Sequence, residues 1–230
     1  MTRIKFCGLR RPQDIALANE FQPDYIGLIF APSKRQITPE QAVALVAHLD
    51  PRIRPVGVFV NETVDQIAAT AAQVRLAAVQ LHGDEGPAEW AALRQILPPG
   101  TKIWQKLAIP VDPAAAIQRA EAFESTLAQL GQDDAQPDVI LLDTEVGGQS
   151  GGTGQTFPWQ QLAAFAQRHS VACAGGLNPG NVAAAIRALH PAIVDCSSGI
   201  ERHLEKQADL MDAFCKTVRK PNSEEMNDDT

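Results

Sequence analysis

Aromatic side chains are scarce in this chain of 230 residues, which has one tyrosine, three tryptophans and eight phenylalanines. Hydrophobic residues still make up 45% of the sequence, so the core must consist mainly of alanine, valine, leucine and isoleucine. Basic residues are fewer than acidic ones, 20 against 27, for a net charge of -7. This balance argues against broad binding to nucleic acid or to an anionic membrane. A small anionic ligand is still compatible with it, because backbone amides can hold one.

Cysteines are few and widely separated, and they form no CxxC pair. The four are Cys7, Cys173, Cys196 and Cys215. A zinc ribbon, a thioredoxin-like site and a disulfide scaffold therefore lack their spacing signature, and a reducing, cytoplasmic setting fits best. The first residues contain no apolar run with a cleavage site, and no apolar stretch reaches membrane-spanning length. We therefore expect neither secretion nor membrane insertion.

Eight short runs rich in β-branched and apolar residues recur along the chain, each followed by a segment with helical periodicity. The predicted strands are 3–7, 25–30, 55–60, 77–81, 102–107, 139–143, 170–174 and 193–196. Alternating strands and helices imply a parallel sheet, and eight such units predict an α/β fold closed as a single (β/α)8 TIM barrel. A doubly wound sheet is the alternative, but its GxGxxG fingerprint is missing from CGLRRPQD after the first strand.

Several helix starts can be read from capping and proline preferences. The clearest are Pro12, Thr38-Pro39-Glu40, Asn61-Glu62 and Asn178-Pro179. The long segment 110–138 is expected to hold one extended helix and an irregular loop around residues 131–134. We expect one catalytic barrel over residues 1–219 and a polar, disordered tail over residues 220–230, because the tail has nothing to bury.

Working residues of such barrels lie at the carboxyl ends of the strands and in the loops that follow. After the seventh strand, Gly175 and Gly176 allow close backbone approach, and Asn178-Pro179 would begin a helix whose amides can face an anion. After the eighth, Ser198 and Gly199 lie in a small-residue turn. Either loop alone is more simply a tight turn, but the pair matches the usual phosphate site of the fold.

A glycine-rich loop, GGQSGGTG at residues 147–154, follows the sixth strand. It lacks the Lys-Ser/Thr ending of a nucleotide P-loop, so we reject that interpretation. The loop better suits a mobile cover over a substrate, and Thr153 and Gly154 could add donors near the phosphate.

Two side chains that can transfer protons lie at strand ends. Asp143 ends the apolar sixth strand, where a carboxyl group can donate a proton; a turn cap or an ion pair is an equally common role. Cys7 ends the first strand, where nearby positive charge could make its thiolate a base. A lone cysteine is more often an inert core residue.

Seven segments, in this order and spacing, resemble the phosphoribosylanthranilate isomerases of tryptophan biosynthesis. They are KFCGLRRPQD, DYIGLIFAPSKRQITPEQA, VGVFVN, VQLHGDE, LLDTEVGGQSGGTGQTFPW, AGGLNPGNV and VDCSSGIE. The resemblance implies an Amadori rearrangement in which Asp143 is the general acid and Cys7 the general base. It implies no metal or organic cofactor, because the imine of the substrate serves as electron sink. The expected partner is a small phosphosugar.

The resemblance also suggests substrate-binding residues. Arg35 would hold the anthranilate carboxylate through its planar guanidinium fork, although Lys34 could share or take over that contact. Asp195 could orient the substrate amine or hydroxyls, or be a buried structural carboxylate. His82, at the end of the fourth strand, could line the pocket.

The remaining histidines fall at predicted helix ends or beyond the eighth strand and are expected at the surface; they are His48, His169, His190 and His203. None belongs to a metal-binding constellation. Another phosphosugar isomerase or epimerase barrel is an alternative function, as is a barrel that only binds a phosphorylated metabolite. A two-aspartate enzyme would not have Cys7 at the end of its first strand, and an epimerase would need metal ligands. The sequence is compatible with both a monomer and a homodimer.

Overall fold

Eight parallel strands form a closed barrel in the computed structural model, which describes residues 1–130, 136–146, 149–150 and 155–220. The barrel strands are β1 (Arg3–Cys7), β2 (Tyr25–Ile29), β3 (Arg54–Phe59), β4 (Ala78–Leu81), β5 (Lys102–Pro110), β6 (Val139–Val146), β8 (Val171–Cys173) and β9 (Ile193–Cys196). They pair in the order β5-β4-β3-β2-β1-β9-β8-β6, and a pairing of β5 with β6 closes the ring. A short β7 (Gln149–Ser150) runs antiparallel to β6. The predicted (β/α)8 barrel is confirmed.

Helices cover the outside of the barrel. They are α1 (Pro12–Phe21), α2 (Pro39–Val46), α3 (Val64–Val74), α4 (Pro87–Ile96), α5 (Pro113–Gln129), α6 (Ala163–Arg168), α7 (Val182–Leu189) and α8 (Ala208–Arg219). Short 3-10 turns occur at Trp159–Leu162 and Ser198–Ile200, and a hairpin of β10 (Glu201–Arg202) and β11 (Glu205–Lys206) precedes α8.

Local capping chemistry explains where helices begin. Pro12 opens α1 as predicted, and the Thr38 hydroxyl caps α2 by accepting from the Gln41 amide. The cap of α3 is Thr63, just after the predicted Asn61-Glu62.

The predicted start of the seventh helix at Asn178-Pro179 is wrong, because α7 begins at Val182. Asn178 Oδ1 instead accepts from the Gly180 amide at 2.8 Å, and Asn181 Oδ1 accepts from the Asn178 amide at 2.8 Å. Asparagine side chains that bond to nearby amides stabilise turns at the expense of helix. These residues therefore form a turn ahead of α7.

Alternation along each strand separates two apolar layers. In β1, Ile4 and Phe6 pack in the layer between the strands and the helices. A smaller layer fills the barrel interior, where the rings of Tyr25 and Trp104 meet edge to face at 5.1 Å. Lys5 lies on the interior side, fully buried, and pairs there with Asp195. Side chains thus fill the bottom of the barrel interior, and the polar groups lie toward one end of the barrel.

The described elements end with α8 at Arg219. The predicted tail, apart from Lys220, and the predicted loop at 131–134 lie outside the described residues, so both stay predictions. The described residues between Pro110 and Asp138 contain one long helix, α5, as predicted. None of the helices within the described ranges is long and apolar enough to cross a membrane.

Candidate active site

A cavity of about 390 Å³ lies at the carboxyl ends of the barrel strands. Its lining includes eight of the predicted site residues: Cys7, Arg35, His82, Asp143, Gly175, Gly176, Asp195 and Ser198. These residues come from six different strands or the loops after them, which the closed barrel brings together. Gly199 is absent from the lining, and Gly154 lies outside the described residues together with Thr153.

Cys7 occupies a buried position at the end of β1, with 8% of its surface exposed. Burial raises the pKa of its thiol, and the ammonium group of Lys5 opposes this effect without cancelling it. Lys5 Nζ lies 2.6 Å from Asp195 Oδ2, and the carboxylate of Asp195 also raises the thiol pKa. The thiol therefore lies beside a buried ion pair whose two charges act on it in opposite directions.

The packing of Cys7 requires a glycine on the next strand. A Cβ atom at Gly27 would lie 2.5 Å from Cys7 Sγ and 3.1 Å from Cys7 Cα, well inside van der Waals contact. Gly27 stands in the sequence as an ordinary glycine of an apolar strand. Its role depends on the register of β1 with β2, which places Cys7 opposite Gly27.

Asp143 lies on the far side of the same cavity and is 5% exposed. Asp143 was predicted to be the last residue of its strand, but β6 continues to Val146. Its Oδ2 lies 3.3 Å from His82 Nε2, and His82 Nδ1 lies 3.0 Å from the side-chain nitrogen of Gln80. Gln80 lines the cavity too. The sequence does not mark Gln80 as a site residue, because its inward orientation depends on the strand register.

Arg35, rather than Lys34, reaches the cavity, since Lys34 is exposed and absent from the lining. Arg35 Nε lies 2.9 Å from Glu201 Oε1, and Nη2 lies 2.5 Å from Oε2. Nη1 makes no hydrogen bond to any described residue, so one edge of the guanidinium group is available to a ligand.

Glu201 is held in turn by Lys206, a lysine with 1% of its side chain exposed. Lys206 Nζ contacts Glu201 Oε1 at 2.7 Å, the Cys7 carbonyl oxygen at 2.5 Å and the Ser197 carbonyl oxygen at 3.1 Å. All three ammonium protons therefore have acceptors. Lysine in a loop ordinarily indicates a solvated charge, and no sequence signal distinguished this one.

Backbone amides lie free at the ends of β8 and β9, where the sequence predicts an anion site. Within the described residues, the N–H groups of Gly175, Gly176 and Ser198 donate to no acceptor. Gly175 and Gly176 have φ of +77° and +68°, a left-handed conformation that glycine adopts readily. Successive amides in such a conformation form an anion-binding concavity.

Two predicted contributors to this site are placed differently. The amides of Asn178 and Gly180 are already bonded to the asparagine side chains of the turn, so the predicted helix start does not supply free donors. At Gly199, a Cβ atom would lie 1.9 Å from the Leu177 carbonyl oxygen. Gly199 therefore lets the two loops pack closely, and its predicted contact with substrate stays a prediction.

The other histidines lie away from the cavity. His48, His190 and His203 are exposed as predicted, whereas His169 is half-buried and lies 2.8 Å from Glu124. Across the parts of the chain that the structure describes, no three His, Cys, Asp or Glu side chains are grouped to hold a metal ion.

The N-(5'phosphoribosyl)anthranilate (PRA) isomerase family model matches residues 4–217. The chain belongs to this family. N-(5'-phosphoribosyl)anthranilate isomerase from Thermoanaerobacter sp. (strain X514) is 38% identical over 219 residues, covering 95% of this chain and 98% of the relative. The enzyme of that name from Bacillus subtilis (strain 168) is 34% identical, covering 90% and 91%.

Solved structures of the family have the same fold. Phosphoribosyl anthranilate isomerase from Thermotoga maritima superimposes with a TM-score of 0.79 at 32% identity, covering 95% of this chain and 98% of that one. A structure of a phosphoribosyl anthranilate isomerase in complex with reduced 1-(o-carboxyphenylamino)-1-deoxyribulose 5-phosphate superimposes with a TM-score of 0.76, also at 32% identity and with the same coverage. The family match extends over all eight barrel strands.

Proposed function

We propose that this chain isomerises N-(5-phosphoribosyl)anthranilate to 1-(2-carboxyphenylamino)-1-deoxyribulose 5-phosphate in tryptophan biosynthesis. The observation that carries the proposal is that Cys7 and Asp143, from strands on different sides of the barrel, line one cavity with a set of free backbone amides. The named relatives support the choice of substrate. The cytoplasm is the proposed location, since all four cysteines are free and buried and suit a reducing compartment.

The ends of the substrate define its orientation. Its phosphate binds the amides of Gly175, Gly176 and Ser198, and its carboxylate binds the free edge of Arg35, a geometry that guanidinium groups favour. The sugar then lies between Cys7 and Asp143. Asp195 Oδ1 is buried and without a partner among the described residues, so it can accept from the substrate amine or a hydroxyl group.

Asp143 acts first, as the general acid. It donates a proton to the ring oxygen, the bond from that oxygen to C1 breaks, and the amine lone pair forms a double bond to C1. The product is an open-chain Schiff base. Positioned acids of this kind accelerate proton transfer substantially.

Cys7 acts second, as the general base. Its thiolate removes the proton from C2, the C2–H electrons form a C1–C2 double bond, and the C1–N pair returns to nitrogen. Transfer of the enol proton and protonation of C1 then give the aminoketose. C1 is reduced and C2 oxidised within one molecule, so the balance requires no redox cofactor.

Loss of anthranilate-type fluorescence after addition of fresh phosphoribosylanthranilate tests the function. We expect Cys7→Ala and Asp143→Ala each to lower kcat by about 10²–10⁴-fold while substrate binding persists, because each removes one proton transfer. Turnover at the wild-type rate in either variant would remove that residue from the mechanism. A wild-type chain that leaves the fluorescence unchanged would reject the function.

Matched controls separate chemistry from folding. Cys173→Ala changes a buried free cysteine on β8 that does not line the cavity. Asp138→Asn weakens the ion pairs of Asp138 with Arg94 and Lys102, again outside the cavity lining. Both controls should keep the wild-type kcat, although Asp138→Asn should unfold more easily.

A further inference from the structure

Gln80 is a buried polar residue that the proposed reaction does not use. It lies in β4 with 2% of its surface exposed, and it lines the catalytic cavity. Its side-chain nitrogen lies 3.0 Å from His82 Nδ1. Its side-chain oxygen has no hydrogen-bond partner among the described residues. A glutamine in a barrel interior loses hydration, so its one contact, to His82, is energetically important.

The direction of this hydrogen bond determines which form His82 adopts. An amide nitrogen can only donate, so Nδ1 of the imidazole must accept with its lone pair. A neutral imidazole with a bare Nδ1 carries its proton on Nε2. That nitrogen lies 3.3 Å from Asp143 Oδ2, and its N–H can donate to the carboxyl group. The three side chains are thus linked by one hydrogen bond, between Gln80 and His82, and by one close polar contact, between His82 and Asp143.

We propose that Gln80 is a positioning residue that holds His82 in the neutral Nε2–H tautomer, so that His82 orients Asp143 but cannot accept its proton. Both ring nitrogens are occupied in this arrangement: Nε2 by its own hydrogen and Nδ1 by the amide of Gln80. The proton on Asp143 then has the sugar ring oxygen as its acceptor. This inference rests on the proposed function of Asp143 as general acid.

Nitrogen-15 NMR of the labelled protein reads the tautomer directly. We expect His82 to show a bare Nδ1 and a protonated Nε2, with the signals assigned by their loss in His82→Asn. In Gln80→Met, which is similar in length but cannot donate, both tautomers should appear and kcat should fall about tenfold, as for other outer partners of site residues. In Gln80→Glu, whose carboxylate accepts only, the proton should move to Nδ1 and kcat should fall further.

Gln105 on the neighbouring strand provides a matched control. It is also buried, at 3% exposure, but its side-chain oxygen accepts from the Trp90 indole in the layer outside the barrel. Gln105→Met should lower Tm without changing the His82 signals or kcat. A purely structural role for Gln80 would give the same pattern in Gln80→Met and would overturn the proposal.

The wild-type spectrum is informative whether or not the variants fold. A proton on Nδ1 in the wild-type chain would mean that the Gln80 amide is turned the other way, and would overturn the proposal. The spectrum needs no substrate. A failure of the tautomer assignment is therefore distinct from a failure of the isomerase function, which the fluorescence assay measures.

Discussion

Cys7, the proposed base, lies in surroundings that favour its neutral form. Burial raises the pKa of the thiol, Lys5 lowers it, and Asp195 raises it. Lys5 and Asp195 form a buried pair at 2.6 Å, so their opposite effects on the thiol pKa partly offset each other. The net effect leaves the thiolate as the minor form near neutral pH.

The pH dependence of the reaction should reflect this balance. Because the base must be deprotonated, kcat/KM should rise with pH and level off above the pKa of an ordinary thiol. Asp195→Asn removes a negative charge beside Cys7 and should move that inflection to lower pH, whereas Lys5→Met should move it to higher pH. A pH profile of kcat/KM, which reports groups of the free enzyme, provides the measurement. An upward shift in Asp195→Asn would contradict the assignment of Cys7 as base.

At the scale of elements, the β10–β11 hairpin supports the site although it lies outside the barrel. Lys206, the last residue of β11, contacts carbonyl groups at the ends of both β1 and β9. It also holds Glu201, the residue that positions Arg35. One ammonium group thus links the ends of two strands to the arginine proposed to bind the carboxylate of the substrate.

Lys206→Met should destabilise the fold and weaken substrate binding together. Removing the ammonium group leaves the carbonyl oxygens of Cys7 and Ser197 without their donor and Glu201 with Arg35 alone, and unsatisfied buried polar groups cost about 1–3 kcal/mol. We expect a loss of that order in the free energy of unfolding by urea, and a higher KM as Arg35 loses its support. Arg202→Met, which breaks the exposed pair between Arg202 in the same hairpin and Asp209 in α8, should change neither. Equal effects of the two variants would argue against a positioning role for Lys206.

At the scale of the whole molecule, the barrel closes between β5 and β6 and its last helix returns to the first. α8 buries Met211, Phe214, Cys215 and Val218, and Arg219 donates to the carbonyl groups of Phe21 and Gln22 at the end of α1. The apolar face of the final helix is therefore covered before residue 220. We propose residues 1–219 as the catalytic domain.

A chain that ends at Lys220 should accordingly keep its Tm and its kcat/KM, because every contact described for α8 lies before that point. Thermal unfolding and the fluorescence assay of the full-length and shortened chains provide the comparison. A further truncation that removes Val218 and Arg219 serves as the positive control and should lower Tm. Loss of turnover on removal of residues 221–230 alone would show that the domain boundary is misplaced.

Much of this architecture was predictable, because local patterns specify local structure. Apolar runs gave the eight barrel strands to within a few residues, and capping preferences located the starts of α1 and α2. The predicted start of α7 was wrong, because asparagine side chains stabilise a turn as well as a helix cap. Candidate proton donors and acceptors could be named from the sequence, since parallel strands of a barrel present their carboxyl ends together.

The sequence alone determined that the chain forms alternating strands and helices, that Cys7 ends the first strand and that Asp143 belongs to the sixth. Only the tertiary structure decided which partners these groups have. The contacts of Gly27, Gln80, Glu201 and Lys206 depend on strand register and on loops that are distant in the chain. Burial makes those contacts strong, because groups removed from water must find their hydrogen bonds and counter-charges within the protein.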